Sequence, residues 1–306
     1  MMIYGQGVIR CHPYLYDEVQ AISQNDVHSF DHLLWNHIGL VVRNVFRTAL
    51  LNLSRGRLAK SPVKGETARY YRKLAWASAT FSLLTDFVLV RLGGSLKRRE
   101  TLTGRFADFL SWMYLASATL RRFEAEGQNP EDLPLVHWSM QYAFAQIQQA
   151  IEGIVINLPI PKSLRSLKLA WCRLNSLGSF PSDELGHQIA QQLQSASEMR
   201  DRLTANIYLP QHSDEQLGLL EQAFTAVLQT EAIAKTLKTA ARSGQLDSAN
   251  LIDSAVEKGV ISEAEAAQLR EAETLRQSAI QVDSFSMEEY YRSGAIAWQT
   301  KELMPH

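Results

Sequence analysis

Apolar positions along this chain follow helical rather than strand spacing. From Asp26 to Leu53, the residues Phe30, Leu33, Leu34, Ile38, Val41, Val42, Val45 and Leu50 recur at helical intervals. A second helix is predicted from Glu66 to about Leu92, where Gly93-Gly94 supplies a C-terminal stop. A third runs from about Leu96 to Ala125 and ends at Gly127, and a fourth carries "LVHWSMQYAFAQIQQAIEGIVI" from near Asp132 to Pro159. Pro130, Pro134, Pro159, Pro161, Pro181 and Pro210 leave proline-free stretches long enough for whole helices. Two-residue alternation bounded by turns is persuasive nowhere. The pattern therefore predicts an all-α fold: a long-helix bundle followed by a smaller region of shorter helices.

Beyond Pro161 the texture changes. Turn signals stand at Gly178-Ser179, Pro210 and Gly244, and the segments between them are shorter and more acidic. "SEAE" (262–265) reads as a capping box, with Ser262 accepting the Glu265 backbone N–H and Glu265 reaching back. The expected organisation is a bundle over 1–158, an amphipathic basic connector over 159–182 and an acidic helical region over 183–306.

Charge sharpens that division. Residues 1–180 carry 21 Lys and Arg against 13 Asp and Glu, whereas residues 181–306 carry 10 against 19. The net of −1 thus conceals a basic front and an acidic back, suited to facing each other or to presenting the front to an anionic surface. Scattered basic residues and a pI near 6.7 argue against a nucleic-acid partner. Cys11 and Cys172 are the only cysteines, in no zinc or redox spacing, which fits a reducing compartment. The most apolar run, "LAWASATFSLLTDFVLV" (74–90), is slightly short for a membrane span and contains Asp86, so it reads as a buried bundle helix.

Catalytic patterns are weak. "YGQGVIR" (4–10) lacks the third glycine and the preceding strand of a phosphate cradle. "GGSLK" (93–97) has Lys97 where a nucleophile elbow needs glycine. His28 and His32, four apart with Asp31 and His37 nearby, share a helix face but lack the general-base Glu of a zincin, so a solvated helix start is expected and no metal. "LKRRE" (96–100) reads as an exposed turn. The informative stretch is "PKSLRSLKLAWCRL" (161–174): Leu164, Leu167, Trp171 and Leu174 fall in one arc of a helical wheel, with Lys162, Arg165, Lys168 and Arg173 outside it and no acidic residue among them. This composition suits a helix lying in the headgroup layer of an anionic membrane. The alternative is a helix that packs its Leu/Trp face on the bundle and leaves its cations in water.

Longer segments carry a resemblance. "IYGQGVIRCHPYLYDE" (3–18), "ARYYRKL" (68–74), "LGGSLKRRETLTGRFADFLSWMYLASATLRRFEAEG" (92–127), "DLPLVHW" (132–138), "PSDELGHQIAQQL" (181–193), "RDRLTANIYLP" (200–210) and "IQVDSFSMEE" (280–289) resemble, in order, the C-terminal region of bacterial-type acyl-CoA dehydrogenases of fatty-acid β-oxidation. Residues after about 290 depart from it. The resemblance implies an FAD-dependent flavoprotein in its full-length form, oxidising acyl-CoA to trans-2-enoyl-CoA with a glutamate as base. It also implies that Met1 falls just past that base, so that no catalytic or FAD-binding residue carries over and no FAD is expected on this chain alone. The implied role is a non-catalytic C-terminal helical domain or fragment serving assembly or membrane association. Its implied partners are the missing N-terminal dehydrogenase region, a second copy in a homodimer and an anionic membrane. The expected location is cytoplasmic, peripheral on the inner face of the inner membrane. The competing reading is a stand-alone helical adaptor, binding membrane or protein, without redox activity. A domain cut from its bundle is further expected to expose Ile3, Tyr4, Val8 and Ile9.

Overall fold

The computed structural model describes residues 12–208, 210, 215–247, 250–282 and 285–292. The sequence-stretch expectations on Ile3, Tyr4, Val8, Ile9, Cys11 and the 4–10 Gly-x-Gly lie outside these residues. All the regular structure among them is helical. The chain divides into two compact units, Met1–Gln194 and Ser195–His306.

The first unit opens with α1 (Leu15–Ser23), followed by α2 (Val27–Leu53), α3 (Ala68–Leu92), α4 (Glu100–Ala125) and α5 (Leu133–Asn157). Each long helix starts and stops within a few residues of its sequence expectation. Asp26 caps α2 by accepting the Ser29 backbone N–H. The Gly93-Gly94 stop holds, but the chain then makes a short 3₁₀ turn, Gly93–Arg98, before α4 begins at Glu100. Pro134 sits in the first turn of α5, where its missing N–H costs nothing.

Burial explains the bundle. Phe106 and Phe109 of α4, Met140, Phe144, Ile147 and Ile154 of α5, and Val88 of α3 are almost fully enclosed. Phe81 of α3 meets Phe106 and Phe109 edge-on, with ring centroids 5.9 and 5.2 Å away. Such aromatic pairs add roughly 0.5–1.5 kcal/mol beyond the area they bury. The stretch Ala68–Leu96 is long and apolar enough to cross a membrane by length and composition. Here Trp76, Ala77, Ala79 and Val88 are buried in the bundle, and the buried Asp86 carboxylate accepts a hydrogen bond from Asn44 of α2 at 3.2 Å. Between α3 and α4, the Tyr71 hydroxyl donates to Glu124 at 2.5 Å. Burial, followed by that carboxylate, pushes the phenol up to about 12.

Two further helices belong to this unit: α6 (Lys162–Leu174) and α7 (Asp183–Leu193), both packed on α5. The sequence suggested a connector over 159–182 and a new region from 183; the unit boundary instead falls after Gln194. Polar anchors explain why the intervening segment stays attached. Gln148 of α5 donates to the Cys172 carbonyl at 3.1 Å and accepts from the Leu177 backbone N–H at 3.1 Å. Asn175 donates to the Asn52 carbonyl at 2.8 Å, and Lys73 to the Leu177 carbonyl at 2.7 Å. Gly178 then lies so close to α5 that a Cβ there would stand 2.6 Å from Phe144 Cβ.

The second unit contains α8 (Glu198–Thr204), α9 (Gln216–Arg242), α10 (Leu251–Glu257), α11 (Glu263–Ile280) and α12 (Met287–Arg292). Its helices are short apart from α9 and α11, which pack along each other. Its core is small and alanine-rich: Ala240, Leu246, Ala255, Ile261, Ala266 and Leu269. The Ser262–Glu265 capping box forms with both reciprocal bonds. Arg270 holds Asp253 of α10 and Glu263 of its own helix, while Arg200 grips Glu221 through two 3.0 Å contacts.

Candidate functional site

The sequence-predicted residues all fall on α6. Its side toward the bundle is formed by Leu169 and Cys172, which pack against the core, and by Arg165, which donates to the Leu158 and Ile160 carbonyls at 3.2 and 3.4 Å. Those carbonyls lie at and just past the C-terminal cap of α5, so a cation there also suits the negative end of that helix. Lys168 places its ammonium 5.2 Å from the centre of the Phe87 ring. Arg173 stands 3.5 Å from the Glu152 carboxylate, and Lys162 is exposed. The apolar arc points the other way: Leu164, Leu167, Trp171 and Leu174 are 50%, 67%, 49% and 75% exposed. The packed Leu/Trp face that the bland sequence reading required is therefore absent. Leu169, which interrupts the basic side of the helix, docks α6 together with Cys172.

Burial alone makes this arrangement unusual. Four large apolar side chains on thirteen residues face water, in a helix none of whose residues is fully buried. Leaving such a side chain exposed forgoes about 1.5–3 kcal/mol relative to enclosing it. A second such face runs along α2, where Trp35, Ile38, Val42, Phe46, Leu50 and Leu53 are all exposed.

Three recesses lie elsewhere in the first unit, and sequence reading singled out none of them. One, of about 390 Å³, is walled by Trp138, Tyr142 and Phe180 beside His187 and Asp183. Trp138 and Tyr142 stack with centroids 5.1 Å apart. A second, of about 270 Å³, lies between α2 and α3 against His12, Asn44, Phe81 and Asp86. There His12 Nδ1 accepts the Tyr14 and Leu15 backbone N–H groups, both at 3.2 Å, and so starts α1. Its Nε2 is buried, 3.8 Å from Asp86 and without a hydrogen-bond partner. Burial, then the neighbouring His37, holds the His12 pKa below its ordinary value, against the pull of Asp86 and Glu18. The third, also about 270 Å³, is lined by Arg69, Lys73, Gln141 and Ser179 over Phe144. The i, i+4 spacing of Arg69 and Lys73 in "ARYYRKL" was the available signal for it.

His28 and His32 stand at the exposed start of α2, where His32 lies 3.3 Å from the Asn36 amide. Among the described residues no group of three or more His, Cys, Asp or Glu side chains could hold a metal. Arg98 and Arg99 are exposed, as expected of "LKRRE", but Leu96 of the same stretch is buried in the bundle core.

The described residues thus form an all-helical bundle with exposed apolar helix faces and recesses between its helices. The particular family is plain from comparison: the family described as "Acyl-CoA dehydrogenase, C-terminal, bacterial type" matches residues 9–285, so the chain belongs to it. No solved structure matches the chain.

That family makes FAD the relevant cofactor, and the described recesses do not fit it. Two are smaller than the roughly 300–1,000 Å³ of sites for drug-sized ligands. The largest of them has aromatic walls suited to a ring, but Asp183, in the first turn of α7, lines it. That carboxylate would repel a dinucleotide pyrophosphate. None of the described residues lining these recesses is assigned to FAD.

Proposed function

We propose that this chain is a non-catalytic helical domain of an FAD-dependent acyl-CoA dehydrogenase of fatty-acid β-oxidation, and that it brings the enzyme to an anionic membrane surface. Such a location suits an enzyme whose long acyl substrates partition into bilayers, and places it in the cytoplasm against the inner membrane. The observation that supports this is the outward Leu164–Leu167–Trp171–Leu174 face of α6, bordered by Lys162, Lys168 and Arg173. An apolar face inserts at the acyl boundary while long cationic side chains reach the headgroups.

Flotation with anionic vesicles tests the reading. Wild-type chain should float with the vesicles, and Leu167→Glu with Trp171→Glu should remain in the soluble fraction. Equal flotation of variant and parent would remove α6 from membrane contact. A second reading, assembly, is favoured by the exposed face of α2, which suits a homodimer or the N-terminal dehydrogenase region. The same reading predicts that dehydrogenation of palmitoyl-CoA needs that N-terminal region supplied in trans.

A further inference from the structure

We infer that the recess between the start of α3, α5 and the 176–179 loop is a binding site for a phosphate group. Its two cations, Arg69 and Lys73, sit one turn apart on α3 and border the same 270 Å³ space. Among the described residues neither is paired with a carboxylate. Glu66, one turn before Tyr70, stands 3.2 Å from His137 Nε2.

The hydrogen bonds around them run in one direction and leave donors over. His137 Nε2–H donates to Glu66, the Tyr70 hydroxyl donates to His137 Nδ1 at 2.9 Å, and Arg69 Nη2 donates to the Tyr70 oxygen at 3.1 Å. This chain fixes the guanidinium, which also lies 4.8 Å from the Tyr70 ring centre. Arg69 has five N–H donors, and those on Nε and Nη1 make no contact with the described residues. Lys73 spends one of its three on the Leu177 carbonyl and lies over the Phe144 ring at 5.4 Å. Burial, followed by Arg69, draws the Lys73 pKa below its usual value, the sign of a cation in want of a counter-charge. The Ser179 hydroxyl adds a neutral donor on the facing wall.

The chemistry selects phosphate over carboxylate. A carboxylate is satisfied by a single guanidinium fork, whereas a phosphate monoester brings about −1.5 to −2 charges and three acceptor oxygens. Two unneutralised cations and a hydroxyl converging from a helix and a loop match the larger charge and the tetrahedral shape. The close seat of Gly178 on Phe144 keeps the loop side of the recess in place.

Calorimetric titration of the full chain with inorganic phosphate, at constant ionic strength and with acetate as control, tests this. Wild type should bind phosphate saturably and acetate much more weakly, and the His137 ring resonances should move with saturation. Arg69→Gln, an exposed change, should weaken phosphate binding about tenfold or more, which is about 1.4 kcal/mol. Lys73→Met should do the same, with circular dichroism reporting that its helices persist. Flotation with phosphatidic acid against phosphatidylcholine vesicles separates sources: loss of phosphatidic-acid binding in Arg69→Gln assigns the phosphate to a lipid headgroup. Phosphate binding without such selectivity assigns it to a soluble phosphoester. If Arg69→Gln binds phosphate as wild type does, or if neither phosphate nor phosphatidic acid binds the parent chain, the inference is overturned.

Discussion

At Gly178 the missing side chain is what allows the loop to close. A Cβ would meet Phe144 Cβ at 2.6 Å and its carbonyl carbon at 3.3 Å, and neither belongs to a flexible side-chain end. Gly178→Ala should therefore destabilise the first unit by roughly 1–3 kcal/mol. Urea unfolding should show this as a lower midpoint at unchanged slope. His12 gives a pH signature. Its pKa is lowered in the folded chain, so at mildly acidic pH the unfolded state binds more protons. The stability His12 contributes is then present above its unfolded value of about 6.5 and is lost as pH falls through the folded value. Stability measured from pH 7 to pH 5 should fall less steeply for His12→Asn than for wild type. The sequence marked Gly178 as a turn but gave neither its seat on Phe144 nor the role of His12, because both roles come from neighbours far along the chain.

At the scale of elements, helix identity was legible and helix orientation was not. The apolar spacing over 26–53 located α2, but the same list mixed two faces. Leu33, Leu34 and Val41 are partly covered, whereas Val42, Val45 and Leu50 are exposed. Periodicity reports that a helix has an apolar side; it does not report how many partners surround it. If the exposed side of α2 mediates assembly, Trp35→Ser with Phe46→Ser should lower the mass measured by light scattering at a given concentration and leave helix content unchanged. An already monomeric parent would remove that role. For α6 the wheel placed the Leu/Trp arc correctly, and only the packed structure showed it facing water. Leu169 and Cys172 dock the helix instead, because the loop anchors at Gln148 and Asn175 fix its roll.

At the scale of the molecule, two separate cores account for two units. The first is large and rich in Leu and Phe, whereas half of the small second core is Ala, with Leu269 among its few large side chains. Leu269→Ala should cost that unit about 2–5 kcal/mol. The loss should be visible as faster amide exchange over 216–280. The basic and acidic halves of the sequence track the two units only approximately, since the acidic start of α7 belongs to the first. Composition changes at Pro161, but the fold changes after Gln194, because buried polar anchors rather than net charge hold 162–193 to the bundle.

The sequence by itself determined the all-helical class, the ends of the long helices, the capping box and the family, since each depends on local spacing, local hydrogen bonding or the order of segments along the chain. Tertiary structure alone decided which apolar faces stay uncovered, where the first unit ends, and that Arg69 and Lys73 share a recess with Ser179. Those outcomes depend on which surfaces meet across long stretches of chain, and no local pattern encodes the partner.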